Sequence, residues 1–511
     1  MRLANFTALM VSELAIDPSL VGRKADRYLA GKSFPLLKRV SFERILRKIS
    51  NSSNEIARLE DLRLYTDACE QLKKSFRAHP INLWEKYRLK KQLENLDCRI
   101  AESRTIKENK GEIRTLLYFT NSSPYTRSGY TERSNRVINC QRDSGIEVFA
   151  ATRYNYPLSI GVLGFPRSDL IDGVKFYRLV PNIISLSRGK QKQRAVRQLV
   201  ELCSELEIDI LQTTTGFQNA EIVSLAAKAL DIPWTYEVRG ELEETWVSKF
   251  PKEDAQLARK SDYYRLARQN EEKAMQMAAC VITLSEVSKT SLVNRGIESR
   301  KIEVIPNGID QALLGHDLTK TAARKRVGLE IDKIYVGSVT SVVGYEGLDI
   351  LVRALKHLPE NISGVVVGDG EALASVKSLV DSLGLSDRMI FPGRKSQDCA
   401  LDWYKALDVF VVPRRNMAVC QRVTPIKATN AQALGLPVVL SDLAALREVT
   451  GGHATFVNPE DPKALATGIL SALEGDVPLV PLHWLESRSW SANGRRYDNI
   501  LRGSAFNWSK L

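Results

Sequence analysis

The sequence predicts an α/β protein: two consecutive Rossmann-like domains, each a doubly wound parallel sheet, preceded by an all-helical N-terminal domain. Three observations carry this. From Gly111 onward, short apolar runs alternate with helix-patterned segments, as in repeated βαβ units. The alternation runs to Ile305 and begins again at Tyr335. Before Gly111 the texture differs: Leu62, Tyr65, Cys69, Leu72 and Phe76 recur at spacings of three and four, one apolar helical stripe. The expected division is a basic helical domain at 1–110, a first α/β domain at 111–320, a second at 321–482, and a helical segment at 483–511.

Each element follows from its pattern. Pro80 opens a second N-terminal helix, Ile81–Leu96, since Pro suits a first helical position. With the stripe before it, this makes a single hairpin of tetratricopeptide type. Strands are expected at Thr115–Thr120, Glu147–Thr152, Phe176–Leu179, Ile208–Gln212, Trp234–Val238, Val281–Leu284 and Ile302–Ile305. Helices fall between them, from about Tyr130 and over Gln191–Glu205, Asn219–Leu230, Tyr264–Ala279 and Lys289–Arg295. The second series has strands at Tyr335–Val339, Ser363–Val367, Met389–Phe391, Val409–Val412 and Val438–Leu440. Its helices are Gly347–Leu358, Ala372–Leu383, Cys399–Ala406, Ile426–Leu434 and Pro462–Leu473. His483–Arg502 is helical again, with Trp484 and Trp490 as packing residues.

Composition narrows the class. At 511 residues the chain has room for about three domains of roughly 150 residues. It is 44% hydrophobic and 26% charged, which excludes wholesale disorder. No apolar run approaches the roughly 20 residues of a membrane-spanning helix. Seven cysteines lack pairing or metal spacing, pointing to a reducing cytoplasm. Residues 1–110 hold 23 Lys/Arg against 14 Asp/Glu, so most of the net charge of +13 lies there. Together with the basic amphipathic run Phe34–Ser50, this points to an anionic membrane surface as a partner, or to a plain solvated face. No nucleic-acid-binding module is present, so nucleic acid is not an expected partner.

In doubly wound sheets, ligands bind at the loops following the strand carboxyl ends. No G-x-G-x-x-G follows a strand there, since Gly368 and Gly370 lead to Leu373, and this sets aside a nicotinamide dehydrogenase. Instead several motifs occur in order: YFTNSSPYTRSGYTERSN (118–135), TYEVRGELEE (235–244), IEVIPNGID (302–310), VVVGDGE (365–371) and ALGLPVVLSD (433–442). In order and spacing, across about residues 112–475, they resemble glycosyltransferase family 4, a family of the two-domain GT-B fold. That resemblance implies two Rossmann-like domains facing across a cleft, with the acceptor on the first and a nucleotide-sugar on the second. It also implies that the closing helix at 483–511 crosses back to the first domain.

The implied activity is a retaining, metal-independent glycosyl transfer of hexosyltransferase type. A nucleotide-sugar is co-substrate, no further cofactor is needed, and the acceptor is a glycan or lipid-linked glycan. The expected setting is polysaccharide or glycolipid synthesis in the cytoplasm, peripheral on the inner membrane face. No metal ligands are expected, as there is no clear DxD pair and the five His lack ligand spacing. The leaving diphosphate then needs Arg, Lys and backbone N–H groups. Arg414, Arg415, Arg422 and Lys427, around Thr424 at a helix start, make a sound anion site, with a solvated basic loop as the alternative. Arg415 and Lys427 are the catalytic candidates there, and Arg239 is a third in the first domain. Arg239 has a second reading, an ion pair with Glu241, Glu243 or Glu244. Gly129, Gly368, Asp369 and Gly370 are further nucleotide-sugar candidates, Gly129 equally a simple turn.

Against the family pattern there are departures. Ser338 stands where Arg is usual and Glu346 where Lys is usual. The two acidic donor-site positions fall on Gln421 or Arg422 and on Asn430, which hydrogen-bond but carry no negative charge. These departures sustain an alternative function: a catalytically inactive scaffold, or the regulatory partner of an active enzyme.

Overall fold

The computed structural model describes residues 5–10, 54–74, 80–310, 313–314, 316–422, 424–478 and 480–503. The run 34–50 and the stripe position Phe76 lie outside the described residues.

The first sheet has eight strands: β1 (Arg114–Phe119), β2 (Glu147–Thr152), β3 (Ser168–Ile171), β4 (Val174–Arg178), β5 (Ile210–Thr214), β6 (Trp234–Val238), β7 (Cys280–Thr283) and β8 (Ile302–Val304). Their order is β3-β4-β2-β1-β5-β6-β7-β8. From β4 through β6 the neighbours pair in parallel, and β3 turns back on β4 as an antiparallel edge hairpin. The hairpin turn is Asp172-Gly173, both at positive φ, the two-residue geometry whose twist matches the flanking strands. The Asp-Gly pair signals this hairpin in the sequence, where a strand is expected only at Phe176–Leu179. Strands β5 and β6 are buried at every residue, as a parallel strand covered on both faces must be.

The second sheet is wholly parallel: β9 (Ile334–Val339), β10 (Ile362–Val367), β11 (Met389–Gly393), β12 (Val409–Val412), β13 (Val438–Ser441) and β14 (Thr455–Val457). Its order is β11-β10-β9-β12-β13-β14. Alternation along each strand feeds two core layers. Val336, Val366 and Val411 join Leu351 and Ile469 in one, while Tyr335, Val365 and Phe410 join Leu434 and Leu446 in the other. In each sheet the strand order reverses at one point, between β1 and β5 in the first and between β9 and β12 in the second. The crevice at that reversal is where such folds bind ligands.

The chain divides into two compact units. One holds Met1–Ile282, Arg295–Glu303 and Tyr497–Leu511, and the other Thr283–Asn294 and Val304–Arg496. The second unit thus begins earlier than 321 and takes in the helix Glu286–Asn294. The helical N-terminal region shares the unit of the first α/β domain. Its apolar stripe is broken: helices Asn54–Asp61 and Tyr65–Lys74 are separated at Arg63, which takes positive φ. The break lets the Arg63 guanidinium lie over the rings of Tyr263 and Trp246, 4.0 and 5.1 Å from their centroids. Leu62 and Leu64 pack with Val247, Ala258 and Tyr264. Farther on, residues 98–103 run as an extended strap. Arg99 N donates to Glu221, Ala101 N to Ser224, and Ser103 N to the Met277 carbonyl at 2.8 Å. The closing helix, Trp490–Leu501, brings Arg502 to the Gly111 carbonyl in this same unit.

Residues 62–64 and 98–103 are therefore packed into the first domain. A chain beginning at Gly111 is expected to melt at least about 5 °C below one beginning at Asn54, as lost burial of two leucines and a backbone strap demands. Equal melting temperatures by scanning calorimetry would show that the strap and helices add nothing.

Candidate functional site

The second domain concentrates charge where its strand order reverses. The loop after β9 ends in a short turn, Gly344–Glu346, and the loop after β12 carries Pro413, Arg414 and Arg415. These loops meet backbone to backbone: a Cβ on Gly347, whose φ is +68°, would lie 1.9 Å from the Pro413 carbonyl oxygen. That close approach sets Glu346 beside Arg414. Arg414 Nη2 lies 2.8 Å from Glu346 Oε1, and Lys427 Nζ lies 2.6 Å from Oε2. Lys427, one residue into the helix Ile426–Ala433, also donates to Thr340 Oγ1.

All three charged side chains are nearly buried. Burial raises the Glu346 carboxyl, yet Lys427 and Arg414 hold it below the ordinary carboxylate value. Burial, with Arg414 beside it, outweighs the pull of Glu346 on Lys427 and brings the ammonium down to about 8. Arg415 is compensated separately, by Asp349 at 2.6 Å and Glu460 at 3.4 Å. The basic cluster expected from the sequence is thus assembled, and each described member has a carboxylate against it. Among the described residues, no group of His, Cys, Asp and Glu is gathered that would hold a metal ion.

Other expected site residues have different placements. Ser338 is buried, and its hydroxyl donates to the Val411 carbonyl between β9 and β12, so it faces the sheet and not a ligand. Gly368 and Gly370 serve the backbone: a Cβ there would sit 1.8 Å from the Thr340 oxygen and 2.2 Å from the Val342 oxygen. They let the β9 and β10 loops pair through Val342 N to the Asp369 carbonyl at 3.0 Å. Asp369 itself caps the Gly370 N–H. Gln421 bridges Asn416 and the first N–H of the helix Ala444–Thr450. The half-buried Asn430 lies beside the buried phenol of Tyr404, and its Oδ1 is buried without a partner. The acidic position is thus held by a neutral amide whose oxygen is out of solvent. Thr424, buried just before the helix, has an Oγ1 with no partner. The Arg422 side chain lies outside the described residues.

In the first domain, Glu237 and Arg239 are two apart along extended chain and share a face. One Glu237 oxygen accepts from Arg133 Nε at 2.6 Å, and the other from Arg239 Nε and Nη2 at 3.0 and 2.8 Å. Arg239 Nη1 donates to the Tyr130 carbonyl and the Ser134 hydroxyl. Burial would raise Glu237, but the two guanidinium groups hold it below the ordinary value. Arg239 is thus ion-paired, and its partner is Glu237 rather than Glu241, Glu243 or Glu244. It ties β6 to the helix Gly129–Asp143, which Ser128 caps. Gly129 opens that helix, and a Cβ there would meet nothing within 4 Å. Glu271, which no sequence motif marks, accepts from the Phe217 N–H and the Tyr236 hydroxyl. Burial pushes its carboxyl up to about 7.

Two measurements check this arrangement. Gly368→Ala and Gly347→Ala are each expected to cost about 3 kcal/mol or more in urea unfolding, because backbone oxygens cannot give way, while Gly129→Ala costs less than about 0.5. Glu271 holds its extra proton in the folded state between an ordinary 4.5 and about 7. Stability from this group is full below that window and is lost as pH rises through it. Glu271→Gln is expected to flatten the stability profile there, and an unchanged slope would refute the assignment.

Comparison with known proteins agrees with the two-domain reading. Residues 128–308 match the model of the Glycosyl transferase 4-like domain, and residues 331–475 that of Glycosyl transferases group 1. Together these cover more than half of the chain. A D-inositol 3-phosphate glycosyltransferase of Xylanimonas cellulosilytica is 33% identical over 35% of this chain and 45% of its own. The lipopolysaccharide core biosynthesis mannosyltransferase LpsB of Rhizobium meliloti is 36% identical over 32% of this chain and 48% of its own. The chain thus spans about half the length of the curated relatives it matches. The Anabaena protein HepE, solved with UDP-glucose, superposes with a TM-score of 0.53 at 18% identity, covering 78% of this chain and 100% of its own. That likeness is one of fold, and the fold is GT-B. On its two domain matches, in order, the chain belongs to the family 4 type of GT-B glycosyltransferases.

Proposed function

We propose that the protein is a retaining glycosyltransferase that moves a sugar from a nucleotide-sugar to a glycan or lipid-linked acceptor, without a metal, in surface polysaccharide or glycolipid synthesis. The observation that carries the reading is the convergence of Arg414, Lys427 and the start of the helix Ile426–Ala433 where the second sheet reverses its order. A diphosphate there would meet two cations and a helix N-terminus, the groups that stabilise a leaving phosphate when no metal does. UDP-glucose, bound by HepE, supports a nucleotide-sugar as the ligand class. In the transfer, the bond from sugar C1 to the diphosphate breaks, the acceptor oxygen bonds to C1 on the same face, and the hydroxyl proton is released.

One observation favours the second reading, a non-catalytic scaffold: Glu346 already neutralises part of the cluster from within. Calorimetric titration with UDP, GDP and ADP separates the two. The expected result is micromolar binding of one nucleotide, lost in the Arg415→Ala plus Lys427→Ala variant. Because Lys427 titrates near 8, affinity is expected to fall as pH rises past that value, and Lys427→Gln removes the dependence. Glu346→Gln releases both cations and should bind roughly fivefold tighter. No binding by well-folded wild type would leave the scaffold.

A further inference from the structure

The helix Leu242–Val247 follows Arg239 and Gly240 and lies against the carboxyl end of β5. There Leu242 Cδ1 stands 3.0 Å from the place a Cβ on Gly216 would take. Of the helix's six residues only Glu243 and Val247 are buried, and Glu241 caps it without a side-chain hydrogen bond. The C-terminal end is anchored by apolar contact. Val247 joins Leu62, Leu64 and Tyr264, and Trp246 meets Phe250 and Tyr263 edge-on. The first turn has no such anchor and depends on how Glu243 is received.

Glu243 is 1% exposed, and neither of its carboxylate oxygens accepts a hydrogen bond from another residue. Arg295 Nη1 stands 3.5 Å away, but Arg295 Nε is given to Glu272 at 3.0 Å. Arg268 Nε also goes to Glu272, at 3.2 Å. Glu271, 5% exposed on the helix Asp262–Met277, is the third carboxylate. Glu243 repels it, and both act on the phenols of Tyr236 and Tyr263. Glu241 adds a further negative charge. No other guanidinium restores the balance: Arg239 is held by Glu237, and Arg259 by Glu244. Glu243, Glu271 and Glu272 thus face only Arg268 and Arg295. A buried carboxylate with neither donors nor a full counter-charge takes up a proton.

We propose that Glu243 and Glu271 share one proton and make the segment Gly240–Thr245 a pH-operated lid on the carboxyl end of β5. While the proton is held, the helix stays seated. When it passes to solvent, two buried carboxylates oppose each other, and the first turn lifts about the anchored end at Trp246 and Val247. Lifting withdraws Leu242 from Gly216 and uncovers the start of the helix Phe217–Leu230. Few buried contacts are given up, which is what a local opening requires. The device makes no use of the nucleotide site and goes beyond the transferase reading.

The sign follows from linkage. The pair titrates as a unit. Once lifted, both groups are solvated and return to ordinary values, whereas burial holds Glu271 up to about 7 while seated. The seated form is favoured fully below that window and loses about tenfold per pH unit through it.

Hydrogen exchange of the full chain, with each rate referred to its intrinsic value, reads the lifting at about pH 5 and about pH 8. Protection over residues 240–245 is expected to fall about 50-fold between them, while that of β10 holds. Glu243→Gln leaves two carboxylates against two guanidinium groups, and the fall should vanish. Glu271→Gln restores the same balance and should do likewise, so a folding failure of one variant leaves the other to decide. Constant protection in wild type, or an undiminished fall in a folded variant, would overturn the lid. An equal fall in β10 would also overturn it, since the opening would then be global.

Discussion

A cation can be buried at the end of a sheet only with an anion beside it, and each α/β domain is organised around one such carboxylate. In the first domain Glu237 lies between Arg133 and Arg239, and in the second Glu346 lies between Arg414 and Lys427. Removing one member of such a group leaves an uncompensated buried charge, so the members hold one another in place. In the first domain the carboxylate links β6 to the helix Gly129–Asp143, and in the second it links the loop after β9 to the loop after β12 and the helix Ile426–Ala433. The loops at the strand ends therefore have defined positions, although no repeating hydrogen-bond ladder runs through them.

That constraint bears on how the second domain would meet the diphosphate proposed for it. Arg414, Lys427 and Glu346 carry a net charge of one, and Arg415 is matched by Asp349 and Glu460. The site offers directed donors more than raw positive potential. Close glycine–carbonyl approaches keep these loops tight, so the donors are preorganised, which is the form of electrostatic help that lowers a transfer barrier most effectively.

The N-terminal helices show a different dependence. Arg63 leaves helical geometry to lie on Trp246 and Tyr263, and the strap at 98–103 satisfies backbone groups through Glu221 and Ser224. These contacts are between residues more than a hundred positions apart, so nothing in the local spacing of either partner announces them.

Much of the architecture was legible in the sequence alone. Apolar runs of strand length, repeated twice with helices between, determine two largely parallel sheets because a parallel strand must be covered on both faces. The Arg414–Lys427 cluster was legible too, since Arg and Lys after a strand and at a helix start are brought near one another by chain connectivity. Glu237 and Arg239 were within reach of the same reasoning, being two apart at the end of one strand. What only the tertiary structure decided is which partner each charge takes. Glu346 and Lys427 are 81 positions apart, and their meeting depends on Gly347 giving room to the Pro413 carbonyl. Ser338 occupies a position that suits a ligand on paper and turns into the interior in space, because a neighbouring strand carbonyl reaches its hydroxyl first, while Asn430 is left half-buried beside the Tyr404 phenol. Sequence spacing determines which face a side chain is on; the packing of distant elements determines what stands opposite it.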